Sequence, residues 1–116
     1  GFHTLDHLIL PTLDDAAMKT AVTHGRHQLA EAARTNVRFF AYPHGRTDTR
    51  SARVVRDAGF DAAFTGRPRA VRRRHERYAI GRWEPGPLCV DDLLVKLTTY
   101  LHRRDVPNGV LRWSAW

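Results

Sequence analysis

An α/β fold is what this sequence predicts, and three observations predict it. A β-branched and aromatic run, Val37 to Tyr42, lies between two segments of helical periodicity. A second short apolar run, Phe60 to Thr65, follows the second of those segments. Strand, helix, strand and helix in alternation imply helical crossovers and so parallel pairing. The 116 residues suit one domain with one core.

The elements follow in order. Gly1 to Pro11 reads as a loop. In Thr12-Leu13-Asp14-Asp15 an acid stands three residues after a threonine, the form of a capping box, so a helix is expected from Asp14 to Arg34. Met18, Val22, Gly25, Leu29 and Ala33 recur at steps of three and four and give it one inward stripe. Thr35-Asn36 ends it, and the strand Val37–Tyr42 runs into Pro43-His44-Gly45. Asp48 to Ala58 reads as a second helix with Val54, Val55 and Ala58 inward, stopped by Gly59, which can take the left-handed conformation. Phe60 to Thr65 is the second strand.

Gly66 to Arg77 carries Arg67, Arg69, Arg72, Arg73, Arg74 and Arg77 with Pro68 among them, an exposed basic loop. Tyr78-Ala79-Ile80 reads as a third short strand and Glu84-Pro85-Gly86-Pro87 as a turn. A last helix runs from Val90 to Arg103, with Asp91 and Asp92 at the positive end of its dipole and Arg103-Arg104 at the negative end. Residues 1–104 are thus read as one domain and 105–116 as a tail. Three short strands are few for a sheet covered on both faces, so the domain is either small and exposed or part of a larger one.

Composition narrows the function classes. Lys+Arg total 19 against 12 Asp+Glu, a formal net charge of +7 and a pI near 10.7, which favours an anionic surface or substrate. Lys19 and Lys96 are the only lysines, a skew that the coding bias of a GC-rich genome would also produce. A single cysteine, Cys89, excludes an internal disulfide framework and a multi-cysteine zinc cluster. No apolar run reaches the roughly 18 residues of a membrane span, and no charged-then-apolar leader opens the chain. The chain begins Gly1-Phe2-His3, without methionine and already with motif-like residues, so a further segment is expected upstream.

Three features could carry chemistry. His3 and His7 are four positions apart, which on a helical turn projects both imidazoles to one side, where they could share a divalent metal; two ordinary loop histidines have the same spelling. His24 and His27 fall opposite Val22 on their helix and should face water, and Asp14-Asp15 reads as a helix N-terminus. At Tyr42-Pro43-His44-Gly45 a strand ends in a sharp turn, where a backbone amide could meet an oxyanion and Tyr42 and His44 could line an opening; a hydrophobic strand followed by a tight turn reads the same way.

Taken in order, Gly1-Phe2-His3-Thr4-Leu5-Asp6-His7, a helix, Arg38-Phe39-Phe40-Ala41-Tyr42-Pro43-His44-Gly45 and then Ala58-Gly59-Phe60-Asp61-Ala62-Ala63-Phe64 closely resemble the polysaccharide deacetylase family with its NodB homology domain. The resemblance runs from Gly1 to about Glu84. It implies the C-terminal part of a distorted (β/α) TIM-like barrel lacking its N-terminal strands. It also implies metal-dependent removal of N-acetyl or O-acetyl groups from a polysaccharide or amino sugar. On the matching positions His3 and His7 become metal ligands, Thr4 the hydroxyl that braces their loop, and the Tyr42 backbone amide an oxyanion donor, with Pro43, His44 and Gly45 at the substrate. The implied ion is divalent, zinc in first place, with an aspartate as third ligand in the upstream segment or on a complementing chain.

The sequence departs from the family pattern at other points. The T-F-D-D type motif that holds the base and the aspartate ligand is absent; Thr12-Leu13-Asp14-Asp15 copies its spelling after the histidines. The arginine of the third motif is replaced by Ala41, with Arg38 a few residues early. The late leucine-x-histidine motif, which carries the general acid, is replaced by Ile80-Gly81-Arg82-Trp83, so Arg82 is the catalytic candidate for that neighbourhood, though an arginine cannot readily exchange a proton near neutral pH. A rival reading is a basic domain binding nucleic acid or an anionic glycan through its arginine loop, without catalysis.

Overall fold

The first residues of the chain are part of the sheet. In a computed structural model, which describes residues 1–69, 71, 76–83, 86–87 and 89–102, the Phe2 N–H donates to Phe39 O and the Ala41 N–H donates to Phe2 O, each at 2.8 Å. Phe2 is thereby bridged in parallel to Phe40, where the sequence suggested only loop. Beyond it β1 (Phe39–Ala41) pairs in parallel with β2 (Ala62–Phe64), Phe40 opposite Ala63, and Phe64 bridges in parallel to Ile80. Parallel neighbours need crossovers. Helices α1 (Asp15–Thr23) and α2 (Arg26–Ala33) connect Phe2 to β1, and α3 (Thr49–Asp57) connects β1 to β2.

The single helix expected over Asp14–Arg34 is two. Gly25 breaks it with φ +81, and a β-carbon there would lie 2.7 Å from the Leu5 side chain, so the break and the close approach both need glycine. The cap also differs from the expectation. Asp14 accepts the Ala17 N–H at 2.8 Å, while the Thr12 hydroxyl donates to Ile9 O within the 3₁₀ turn Leu10–Thr12. Met18 and Val22 are buried, but Leu29 is 40% exposed because the break turns α2 away from the stripe set by α1. For α3 a reciprocal box forms: Ser51 N–H donates to Asp48 Oδ1 at 2.7 Å and Asp48 N–H to Ser51 Oγ at 2.9 Å.

Both strands feed one core. Phe2 stacks parallel to Phe60 with ring centroids 6.3 Å apart, and Phe40 sits against Phe60 at 5.3 Å and Tyr42 at 5.2 Å. Leu10, Met18, Val22, Val37, Val55 and Ala63 complete the cluster. Each fully buried large apolar side chain contributes about 1.5–3 kcal/mol. Two arginines tie elements together at its edge. Arg26 donates to Val37 O (2.8 and 3.1 Å), Ala58 O (2.6 Å) and Gly59 O (3.3 Å), with its guanidinium 3.9 Å from the Phe60 ring centroid. Arg50 joins α3 to the start of α1 through Asp15 Oδ1 (3.1 Å), Pro11 O (3.2 Å) and Leu13 O (2.7 Å).

The chain divides into two compact units, Gly1–Glu84 and Pro85–Trp116. Helix α4 (Val90–His102) belongs to the second unit and opens with Asp91 and Asp92 in its first turn, as its dipole favours. Arg72, Arg73, Arg74 and His75 of the basic loop, the Glu84-Pro85 turn, Arg103-Arg104 and the tail 105–116 lie outside the described residues.

Replacing Arg26 leaves three carbonyl oxygens without their charged donor and removes the cation over Phe60. Arg26→Ala is therefore expected to lower unfolding stability by about 2–3 kcal/mol, the partly exposed site taking the lower end of charged hydrogen bonds. Urea denaturation followed by circular dichroism measures it.

Candidate metal centre

Parallel strands place their carboxyl ends together, and loops leaving those ends meet. His3 follows Phe2, the Tyr42-Pro43-His44-Gly45 turn follows β1, and Thr65-Gly66 follows β2. His3 Nδ1 lies 2.8 Å from Ala41 O. A carbonyl only accepts, so His3 in its neutral form carries its proton on Nδ1 and keeps a lone pair on Nε2.

The path to His7 is not a helical turn. Thr4 and His7 both have left-handed backbone, φ 60 and φ 51. The Thr4 hydroxyl oxygen accepts the His7 N–H at 3.1 Å and holds the bend. His7 Nε2 then lies 2.9 Å from His3 Nε2, with ring centroids 4.7 Å apart. With neutral His3 bare at Nε2, His7 Nε2 donates. The His44 ring stands 4.5 Å from His7 on a third non-glycine residue of positive φ, 55. Each such residue costs on the order of 1 kcal/mol, and their grouping here marks a place shaped for something other than stability.

These contacts lower the pKa of His7 from its ordinary 6.5: neighbouring atoms remove some of its water, and His44 and then His3 disfavour a further positive charge. A neutral ring is the form that binds a metal. Tetrahedral zinc, with Zn–N near 2.0–2.1 Å, requires its ligand nitrogens about 3.3 Å apart. The pair would open by a few tenths of an ångström and His7 would move its proton to Nδ1. Two imidazoles therefore fit such an ion, but as a partial set: among the described residues no group of three or more His, Cys, Asp or Glu is placed to hold a metal.

The turn beside them depends on glycine. Gly45 has φ +64, and a β-carbon there would stand 2.3 Å from Gly66 N. Gly66 N–H donates to Gly45 O at 3.1 Å, joining this turn to the loop after β2. His44 is exposed and Gly45 half-buried, whereas Pro43 and Tyr42 are buried. Tyr42 does not line an opening. Its ring is in the core because it shares a strand face with Phe40, its hydroxyl donates to Tyr78 O at 2.9 Å, and burial pushes its pKa up to about 12. The Tyr42 N–H, expected at an oxyanion, donates to Phe64 O at 3.0 Å in the sheet.

Among the other candidates, His24 and His27 face water, and His27 pairs with Glu31 at 3.6 Å. Arg38 pairs with Asp61 at the amino ends of the strands, opposite the histidines. Arg82 is exposed at the carboxyl end, its N–H donating to Arg67 O at 3.0 Å. The His7–His44 contact was not foreseen; a titratable residue between proline and glycine in the turn was its only signal.

The family model for polysaccharide deacetylases matches residues 1–63, more than half of the 116. The chain belongs to the polysaccharide deacetylase family. Among solved structures this deacetylase-family chain is similar to the deacetylase PplD of Streptococcus pyogenes, solved in complex with acetate, with TM-score 0.72 and 17% identity over 80% of this chain and 42% of that one. It is also similar to a polysaccharide deacetylase from Bacillus cereus, with TM-score 0.72 and 17% identity over 82% of this chain and 30% of that one. At such identity the likeness is one of fold, and the chain spans less than half the length of either. No curated protein matches it.

The lowered pKa gives a direct expectation. The folded chain binds fewer protons at His7 than the unfolded chain, so the stability linked to this ring is present above pH 6.5 and is lost as pH falls through the lowered value. In an NMR titration His7 should show a midpoint below 6.5, and His44→Ala should move it up toward 6.5.

Proposed function

We propose that this chain carries the histidine half of the active site of a metal-dependent hydrolase, on a segment of a TIM-like barrel. It removes N-acetyl, or O-acetyl, groups from a polysaccharide or amino sugar. One observation carries the reading: His3 and His7 meet Nε2 to Nε2 at 2.9 Å, with His3 held from behind by Ala41 O, at the sheet end where the Tyr42–Gly45 turn also lies. His3 and His7 would hold a divalent ion, zinc by the chemistry of paired imidazoles, with an aspartate from outside these residues as third ligand. Such an ion, when bound, polarises an acetamide carbonyl and makes water a nucleophile near neutral pH.

The chain's own groups prepare that chemistry. Ala41 O fixes the tautomer and angle of His3, and the Thr4 hydroxyl fixes the bend that returns His7. His44 holds His7 toward its neutral form. The Tyr42 N–H can meet an oxyanion only by sharing or leaving its bond to Phe64 O. Arg82 offers fixed positive charge but no proton exchange. The general base and acid then come from residues beyond these motifs, on an upstream segment or a complementing chain, and the isolated chain binds metal weakly and hydrolyses little.

The test is metal uptake. Titrating zinc or cobalt by calorimetry, the parent chain should bind and His3→Ala/His7→Ala should lose at least about tenfold in affinity with an unchanged circular dichroism spectrum. Equal uptake by a folded double variant refutes the reading.

A further inference from the structure

The described arginines divide by what they touch. Arg26, Arg38, Arg50 and Arg56 are all engaged, with the carbonyls of Val37, Ala58 and Gly59, with Asp61, with Asp15 and two carbonyls, and with Asp57. They hold the fold. Arg46, Arg67, Arg69 and Arg82 are exposed, and among the described residues none has an ion pair or a side-chain hydrogen bond. Arg34, Arg53 and Arg77, likewise without such a partner among the described residues, lie elsewhere, at the end of α2, on α3 and beside Ala63.

Arg46, Arg67, Arg69 and Arg82 are joined by backbone at one end of the sheet. Arg46 N–H donates to Pro43 O at 3.2 Å, closing the turn that carries His44. Gly66, bonded to Gly45 O, leads directly into Arg67. Arg82 N–H donates to Arg67 O, and a β-carbon at Gly81 would lie 2.6 Å from Arg69 Cβ. This is the carboxyl end, which also bears His3, His7 and His44. Three described carboxylates belong to the same loops, with Glu76 exposed near the end of the segment that carries Arg67 and Arg69. Asp6 is exposed between the histidines, and Asp48 is occupied in capping α3. Among the described residues none of the three is paired with an arginine.

Resting on the deacetylase reading, we infer that the glycan taken here is anionic: an N-acetylated polysaccharide bearing carboxylate or phosphate groups close to the acetylated sugar, received by Arg46, Arg67, Arg69 and Arg82. A guanidinium binds either oxyanion through two parallel N–H donors. Several such groups at one rim attract an anionic chain before it docks and add contacts once it has. A neutral glycan gains nothing from them.

The experiment is calorimetric titration of the whole chain, with zinc present, against oligosaccharides of equal length: neutral chito-oligosaccharide, hyaluronan oligosaccharide for the carboxylate and an N-acetylglucosamine phosphate oligomer for the phosphate. At least one acidic ligand should bind about tenfold tighter than the neutral one in about 20 mM salt, the preference shrinking in about 200 mM salt as exposed charges are screened. Which acidic ligand binds tighter identifies the oxyanion. Arg46→Gln/Arg67→Gln should lose the preference while retaining zinc uptake. Equal binding of neutral and acidic oligosaccharides overturns the inference, as does a preference that survives in the double variant or tighter binding of single-stranded DNA than of either acidic glycan. Failure of the underlying deacetylase reading shows separately, in the zinc uptake of the histidine variant.

Discussion

The arrangement at this site depends on the pairing of one residue, Phe2, with β1. Its N–H and C=O bond to Phe39 and Ala41, and the residue that follows it, His3, bonds to the next available acceptor, Ala41 O. The same short stretch of β1 therefore sets the strand and the His3 imidazole in register. A shift of the pairing by one residue would turn Phe2 out of the core and carry His3 to the other face of the sheet. Burial of Phe2 against Phe40 and Phe60 opposes that shift, so the hydrophobic core and the position of the histidine are fixed by one choice of register.

Conformational strain is gathered at the same end. Thr4, His7 and His44 accept left-handed backbone that their side chains disfavour, and Gly45 accepts it freely while Gly66 packs against it. The bonds that hold these angles are local: Thr4 Oγ1 to His7 N–H and Ala41 O to His3. The arginine clamps at Arg26 and Arg50 bind the helices to the strands on which these loops are mounted. The arginines that secure the fold are thus different from those that face the open rim.

Much of this was legible in the sequence, and the rest was not for identifiable reasons. Val37–Tyr42 and Phe60–Thr65 announce strands because β-branched and aromatic residues dominate them, though pairing trims each to three residues. The histidine pair was found by the order of the motifs. Its geometry was misread, since a spacing of four suggests a helical turn and only the acceptors Thr4 Oγ1 and Ala41 O produce the left-handed bend. The break at Gly25 was hidden because the glycine falls on the apolar stripe, and what forbids a side chain there is Leu5, a contact between distant residues. Phe2 alone has no period to read. Tyr42 could have been placed correctly: it stands two residues after Phe40, so strand alternation sends both rings inward.

The protonated nitrogen of His3 tests the central constraint most directly. Long-range proton–nitrogen NMR on the metal-free chain should find His3 with its proton on Nδ1 and Nε2 bare, as the bond to Ala41 O requires. A proton found on Nε2 instead, with Nδ1 bare, would mean that Ala41 does not hold the ring and that the paired imidazoles are not set by the strand beside them.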